Sequence, residues 1–321
     1  MTTCMFLTGG EGFLGRHVAQ RFAAEGCRVV SLGLGALTDR ERSQFGFHAL
    51  VRGLVDGALL RRAADEFGAP DIIVHAAGAS SVGEAAADPA ASFLLTVTST
   101  HDVIEFARRL PRKPPIVFIS SAAVYGDYGD SAIPVGVPCA PISAYGLHKS
   151  AAERLLLDAA HAYGLDVRIV RFFSLYGPHL RKQLLWDALQ RVDRGEWPLR
   201  IDATGRELRD FLFVSDAADL IRRLATAASG PVVVNGGRGE PIALAALLTK
   251  LLAAAGYEPR VEFSGIDRPG NPRSLVADVK CLDGLAFRPA VALDEGLSRY
   301  ARWARSELEG RRGEPGSRAA V

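Results

Sequence analysis

Short apolar runs alternate with longer stretches of helical periodicity through the first half of the chain. The runs are Met5-Phe-Leu7, Val29-Val-Ser-Leu32, Ile72-Ile-Val74, Ile116-Val-Phe-Ile119 and Val167-Arg-Ile-Val170, and the helical stretches lie near 57–67, 90–109 and 145–163. A strand that is apolar at consecutive positions is buried on both faces, and strands separated by helices are joined by right-handed crossovers. The pattern predicts an α/β chain built on a doubly wound parallel sheet.

Beyond about residue 175 the rhythm loosens. A helix-like stretch at 181–194 is followed by a Pro- and Gly-punctuated segment, apolar Val232-Val-Val234, an Ala- and Leu-rich helix at 242–255 and a short strand at 260–263. The expectation is a main sheet domain over 1–175 and a smaller lobe over 176–310, interleaved with returning elements of the main sheet. Residues 311–321, rich in Gly, Pro and charge, are expected to be a disordered tail.

The turn after the first run carries chemistry. Thr8-Gly-Gly-Glu-Gly-Phe-Leu-Gly15 has glycines at 9, 10, 12 and 15 and opens a helical stretch that continues through Phe22. Glycines permit a tight strand-to-helix turn whose backbone N–H groups meet a pyrophosphate at the positive end of the helix. Between a first strand and a first helix this is a dinucleotide fingerprint, which makes the sheet a Rossmann sheet. A second signal is Ser143-Ala-Tyr-Gly-Leu-His-Lys149, where four-residue spacing puts Tyr145 and Lys149 on one helix face. A phenol ionises near pH ~10, and a cation held beside it favours the phenolate, so the pair suits a base that takes a proton from an alcohol.

Composition narrows the classes. At 321 residues and 48% hydrophobic, the chain can bury a large core. Its net charge of +2, with the signs interspersed, gives no electrostatic footprint for nucleic acid or an anionic membrane. No apolar run reaches 18 residues, and the N-terminus enters the glycine turn instead of a signal-peptide core. Cys4, Cys27, Cys139 and Cys281 are scattered without metal-ligand or disulfide spacing and read as reduced thiols. A soluble, cytoplasmic protein without a metal is the expectation.

From about residue 4 to 300, the ordered motifs resemble the extended short-chain dehydrogenase/reductases of the NAD-dependent epimerase/dehydratase family, especially the UDP-galactose 4-epimerase branch. Thr8–Gly15 matches the cofactor loop, and His75-Ala-Ala-Gly78 with Val82-Gly-Glu84 and Pro89 looks like the segment beside the nicotinamide ribose. Ser120-Ser-Ala-Ala-Val-Tyr-Gly126 resembles the strand end that supplies a catalytic hydroxyl, and Tyr145 to Lys149 is similar to the family's Tyr-x-x-x-Lys. The resemblance implies Ser121, Tyr145 and Lys149 as catalytic residues. It implies Gly9, Gly12, Phe13, Leu14, Gly15, Ala76, Ala77 and Gly78, with Tyr145 and Lys149, as cofactor contacts. Ser121 is preferred over Ser120 because it stands immediately before Ala-Ala-Val-Tyr. Arg209, in Gly205-Arg-Glu-Leu-Arg-Asp-Phe211, and Arg268, in Asp267-Arg-Pro-Gly-Asn271, match arginines that grip a sugar-nucleotide diphosphate. Ser174 stands at a substrate-contacting position usually held by Asn, and Lys182 and Gln183 are candidates to read sugar or phosphate. A homodimer through the helices near 90–109 and 145–163, with Ala151-Ala-Glu-Arg-Leu-Leu-Leu157 supplying apolar contact, is also implied.

Departures from the family pattern matter as much. Dehydratases carry an Asp-Glu pair where Ala122-Ala123 stand, which argues against 4,6-dehydration. NAD-binding members end the second strand in an acid that accepts from the adenosine ribose hydroxyls, whereas here that strand runs into Gly33-Leu-Gly-Ala36. Arg40 and Arg42 follow and are candidates for a 2′-phosphate, Gly53-Leu54 replaces an adenine-contacting Asp-Leu, and Thr96 replaces an Asn. The cofactor is therefore NAD or NADP. A nucleotide-sugar 4-epimerase working through a 4-keto intermediate is the leading reading. An NADPH-dependent 4-ketoreductase of a 4-keto-deoxy sugar nucleotide is the alternative, and a non-catalytic dinucleotide sensor is the remote one.

Overall fold

The computed structural model describes residues 2–228, 232–267 and 272–313. Strand β1 (Cys4–Thr8) turns into α1 (Phe13–Ala23), followed by β2 (Arg28–Gly33), α2 (Asp39–Gln44), β3 (Phe47–Arg52), α3 (Gly57–Phe67) and β4 (Ile72–His75). Helices α4 (Val82–Ala87), α5 (Pro89–Phe93) and α6 (Ser99–Arg109) lead to β5 (Ile116–Ser121), and α7 (Ala144–Tyr163) leads to β6 (Val167–Phe172). Then come β7 (Ser174–Tyr176), α8 (Gln183–Asp193), β8 (Leu199–Ile201), β9 (Leu208–Phe213), α9 (Val214–Thr226) and β10 (Val233–Gly236). The chain closes with β11 (Pro241–Ala243), α10 (Leu244–Ala254), β12 (Val261–Phe263), β13 (Ser274–Leu275) and α11 (Leu293–Gly313).

Seven parallel strands form the main sheet in the order β3-β2-β1-β4-β5-β6-β10. Its strands are continuous in apolar character because both faces are covered. Met5 and Leu7 of β1 pack with Val18, Phe22, Leu220 and Ile221 under α1 and α9, while Phe6 packs with Leu60, Val103 and Leu156 under α3, α6 and α7. Local signals set the helix ends: Asp56 Oδ1 accepts from Leu59 N–H at 2.7 Å to start α3, and Ser143 Oγ accepts from Gly146 N–H at 3.1 Å to start α7. Helix α7 stops at Gly164, whose φ of 62° is left-handed.

A second core joins Leu185 and Trp186 of α8, Leu248 and Leu251 of α10 and Tyr300 of α11. It stands against a small sheet in which β9 pairs with β7, β11 and β13. The sequence pattern names neither α9 nor α11. Helix α9 packs its buried Ala217, Leu220, Ile221 and Leu224 against the main sheet beside α1, so the later half of the chain completes the earlier half. Helix α11 continues to Gly313, through the first three residues of the expected tail; residues 314–321 lie outside the described residues. Among the described residues no helix is long and apolar enough to cross a membrane.

The stretch Ala151–Leu157 divides between two faces of α7: Ala151, Leu155 and Leu157 are half-buried, and Arg154 is exposed. Ala152 and Leu156 are fully buried in their own domain, because the sheet claims that face of α7. The exposed large apolar groups on these helices include Phe93, Leu94, Leu147 and Tyr163, which are 48%, 44%, 57% and 46% exposed.

Candidate active site

The ends of β1, β2 and β4 meet with little more than backbone between them. Gly9, at φ 69°, donates its N–H to Leu32 O at 2.8 Å, and a Cβ on it would stand 2.9 Å from Ala77 N. A Cβ on Gly15 would lie 2.6 Å from Gly10 Cα, so α1 can approach the turn only without one. Gly12 caps α1 without a side-chain hydrogen bond, leaving the first N–H groups of the helix for an anion. This cradle suits a dinucleotide pyrophosphate, and it opens into a cavity of about 900 Å³ that Phe13 and Leu14 also line.

Along the far side of the cavity run Ala76, Ala77 and Gly78 from the end of β4. Buried His75 fixes them from beneath, its Nδ1 2.7 Å from Thr8 Oγ1 and its Nε2 3.0 Å from Thr100 Oγ1; Thr8 Oγ1 in turn accepts from Ala77 N–H at 3.1 Å. Burial, then the nearby Lys149 charge, push the imidazole down to about 3, so it stays neutral. Thr96 is buried, and its Oγ1 accepts from Ala79 N–H at 3.1 Å, which makes it a brace for this loop. It sits in a π-helical turn, Leu94–Thr98, that the sequence pattern does not disclose.

Ser121, Tyr145 and Lys149 line the same cavity as the glycine turn. Ser121 ends β5 and accepts from Ala123 N–H at 3.2 Å, so it caps the short turn Ala122–Val124 while its hydroxyl stands beside Tyr145. Ser120 is tied instead to Glu153, whose carboxylate is 2.6 Å from Arg171 Nη2 in a buried ion pair. Arg171 Nη1 extends that chain to Tyr125 Oη at 3.0 Å, and Tyr125 donates to Asn235 Oδ1 at 2.6 Å.

The expected activation of Tyr145 by Lys149 is not present in the protein alone. The Lys149 ammonium donates to Ile119 O at 2.8 Å and lies 6.0 Å from the Tyr145 ring centroid. Burial pushes the Tyr145 phenol up from its ordinary value; the Ser121 hydroxyl pulls it back, and the Glu84 charge adds to the rise. Burial likewise brings Lys149 down to about 8. An apolar pocket disfavours both charges, so four-residue spacing alone does not yield a phenolate.

At the open side, Ser174 and Gln183 line the cavity, and Lys182 bridges it by donating to Ser80 Oγ and to Glu84 Oε1, the latter at 3.3 Å. Arg209 is not among the lining residues: it lies partly buried on β9, where its Nη1 donates to Leu208 O at 2.8 Å. Arg268 lies outside the described residues. Leu54 lines the cavity, but Arg40 and Arg42 do not; Arg42 donates to His48 O at 2.7 Å. Sequence reasoning passes over Glu11, which is 8% exposed, lines the cavity and accepts from Ser31 Oγ at 2.8 Å. Among the described residues no group of three or more His, Cys, Asp or Glu could hold a metal ion.

The sequence model of the NAD dependent epimerase/dehydratase family matches residues 5–237. The chain belongs to this family. A dTDP-glucose 4,6-dehydratase of Xanthomonas campestris pv. campestris (strain B100) is 30% identical to it, over 92% of each chain. A probable UDP-glucuronate 4-epimerase of Rhizobium meliloti (strain 1021) is 28% identical over 92% of this chain and 95% of the relative. The crystal structure of a Thermus thermophilus UDP-glucose 4-epimerase in complex with NAD is 27% identical, with a TM-score of 0.84 over 94% of this chain and 99% of that one. This member of the epimerase/dehydratase family is thus an enzyme of the nucleotide-sugar type with a nicotinamide dinucleotide cofactor. Its turn after Ser121 offers only the methyl groups of Ala122 and Ala123, and both residues line the cavity.

Proposed function

We propose that the enzyme is a nucleotide-sugar 4-epimerase that oxidises C4 of a nucleoside-diphosphate hexose to a ketone and reduces it again from the other face. The observation that carries this reading is the convergence of Ser121 and Tyr145 on the cavity that the glycine turn opens, with no carboxylate at 122 or 123. Eliminating water from a hexose needs an acid and a base around C5 and C6, and two alanines supply neither. When bound, the nicotinamide supplies the acceptor and later the donor of the C4 hydride, and in its oxidised form a positive charge that favours the phenolate. Tyr145 takes the C4 hydroxyl proton and returns it, while Ser121 hydrogen-bonds the same oxygen. Lys149, in the cavity wall below Gly78, holds the nicotinamide ribose hydroxyls. Ser174 contacts the sugar and Arg268 acts on the diphosphate, whereas Arg209, set back from the cavity lining, joins it only by turning away from Leu208 O.

The test is incubation of the purified protein with UDP-glucose, UDP-N-acetylglucosamine and their GDP and dTDP counterparts, without added cofactor, followed by NMR of the C4 configuration. Inversion of at least one is expected. Complete dependence on a stoichiometric external reductant would overturn the reading in favour of a ketoreductase, and loss of water from the sugar would overturn it in favour of a dehydratase. The exposed Phe93, Leu94 and Leu147 support a homodimer through α5 and α7; a monomeric mass by light scattering would exclude it.

A further inference from the structure

The family's acid at the end of β2 is missing from the strand, yet a carboxylate stands at that point in space. Thr8 pairs with Leu32 across β1 and β2, so the residues just past these strands face each other at the mouth of the cavity. There the side chain of Glu11, from the glycine turn, crosses to β2. Its Oε1 is fixed by the buried Ser31 hydroxyl at 2.8 Å. A Cβ on Gly33 would lie 2.8 Å from Glu11 Oε2, and one on Gly35 would lie 2.6 Å from Glu11 Cβ. The strand end carries no side chain because the carboxylate of the turn fills that volume.

We propose that Glu11 is the specificity-determining residue for the adenosine half of the cofactor, accepting hydrogen bonds from the ribose hydroxyls and excluding a 2′-phosphate, so that the enzyme uses NAD. A carboxylate accepts from a vicinal diol but repels a phosphate dianion placed against it. Of the cations around this end, Arg52 lies opposite Gly33 on β3 and donates to Leu34 O at 3.5 Å, outside the cavity lining. Arg16 pairs with Glu41 at 2.7 Å through Nη1 and donates to the Glu11 carbonyl at 2.8 Å through Nε. Arg40 and Arg42 are exposed and do not line the cavity. The inference rests on the dinucleotide reading of the cavity and is independent of the sugar chemistry.

Calorimetric titration with NAD+ and NADP+, after removal of any copurifying dinucleotide, tests it without turnover. Wild type is expected to bind NAD+ at least about 100-fold more tightly than NADP+. Glu11→Gln, which keeps an acceptor for Ser31, and Glu11→Ala should each narrow that ratio by about 10-fold or more, mainly through stronger NADP+ binding. Glu11→Ala combined with Gly33→Asp, which moves the acid back to the strand in the space the first change vacates, should restore the preference for NAD+. Equal affinities in wild type, or an unchanged ratio in both single variants, would overturn the assignment. A parallel loss of both affinities would overturn it too, showing Glu11 to be a structural strut. Failure of wild type to bind either dinucleotide would refute the cofactor reading itself, whatever the sugar assay gives.

Discussion

The two ends of the cavity are built in opposite ways. At the Tyr145 end two of the groups that matter, Tyr145 and Lys149, share one turn of α7, and Ser121 joins them from the end of β5. At the Glu11 end the wall is assembled from the turn after β1, the end of β2 and the loop holding Leu54. The first end keeps the family's motif while burial works against the phenolate the motif suggests; the second departs from the motif yet holds a carboxylate beside the strand end. Space rather than sequence position decides which groups line each end.

The comparison breaks most visibly at the Tyr145 end. Tyr145→Phe should lower kcat on the converted sugar nucleotide by a factor on the order of 10²–10⁴, the usual share of a general base, while calorimetry finds dinucleotide affinity nearly unchanged. A comparable loss of affinity would join the two ends that the structure separates. Behind this end, Glu153→Ala strands the buried Arg171 guanidinium, and urea denaturation should show stability lower by about 3–5 kcal/mol. At the other end, Gly15→Ala drives a methyl into Gly10, and about 1–3 kcal/mol of stability should go with weakened dinucleotide binding. Turnover at saturating dinucleotide should survive, which sharpens the contrast with Tyr145→Phe.

A pH dependence lies beneath both ends. His75 titrates near 3 in the fold against 6.5 for the ordinary imidazole, so the unfolded chain binds the extra proton first. Its contribution is complete above pH 6.5 and is lost as pH falls toward about 3. The limiting slope is about 1.4 kcal/mol per pH unit. Denaturation midpoints measured between pH 6.5 and 4.5 should therefore fall less steeply for His75→Asn than for wild type. Equal slopes would mean that other groups dominate acid unfolding.

What can be read from the chain follows the distance between cooperating residues. Helix α7 and its Tyr145–Lys149 spacing are local, capped at Ser143 and stopped at Gly164, and are legible. The β1 turn is legible because Gly9, Gly12 and Gly15 serve a single bend. Strand β3 stays hidden because it is an edge strand that buries Phe47, Ala49 and Val51 on alternate positions, unlike the continuous runs of the inner strands. The partnership of Glu11 with Gly33 depends on the register of β1 against β2, which hydrophobic periodicity does not encode. A usable signal does exist: an acid inside the glycine turn coincides with a glycine where the strand-end acid is missing. The state of Tyr145 is illegible for a different reason, since desolvation depends on everything packed around a group and not on its helix neighbours.

The return of α9 to the sheet has a consequence for how such a chain can evolve. Its apolar face covers strands laid down more than a hundred residues earlier, alongside α1. A shuffled gene that exchanged everything after β6 for a foreign segment would uncover the part of that side of the sheet that α1 does not reach. The dinucleotide half is not a detachable cassette, and new sugar preferences must arise by substitution within a lobe that stays threaded through its host.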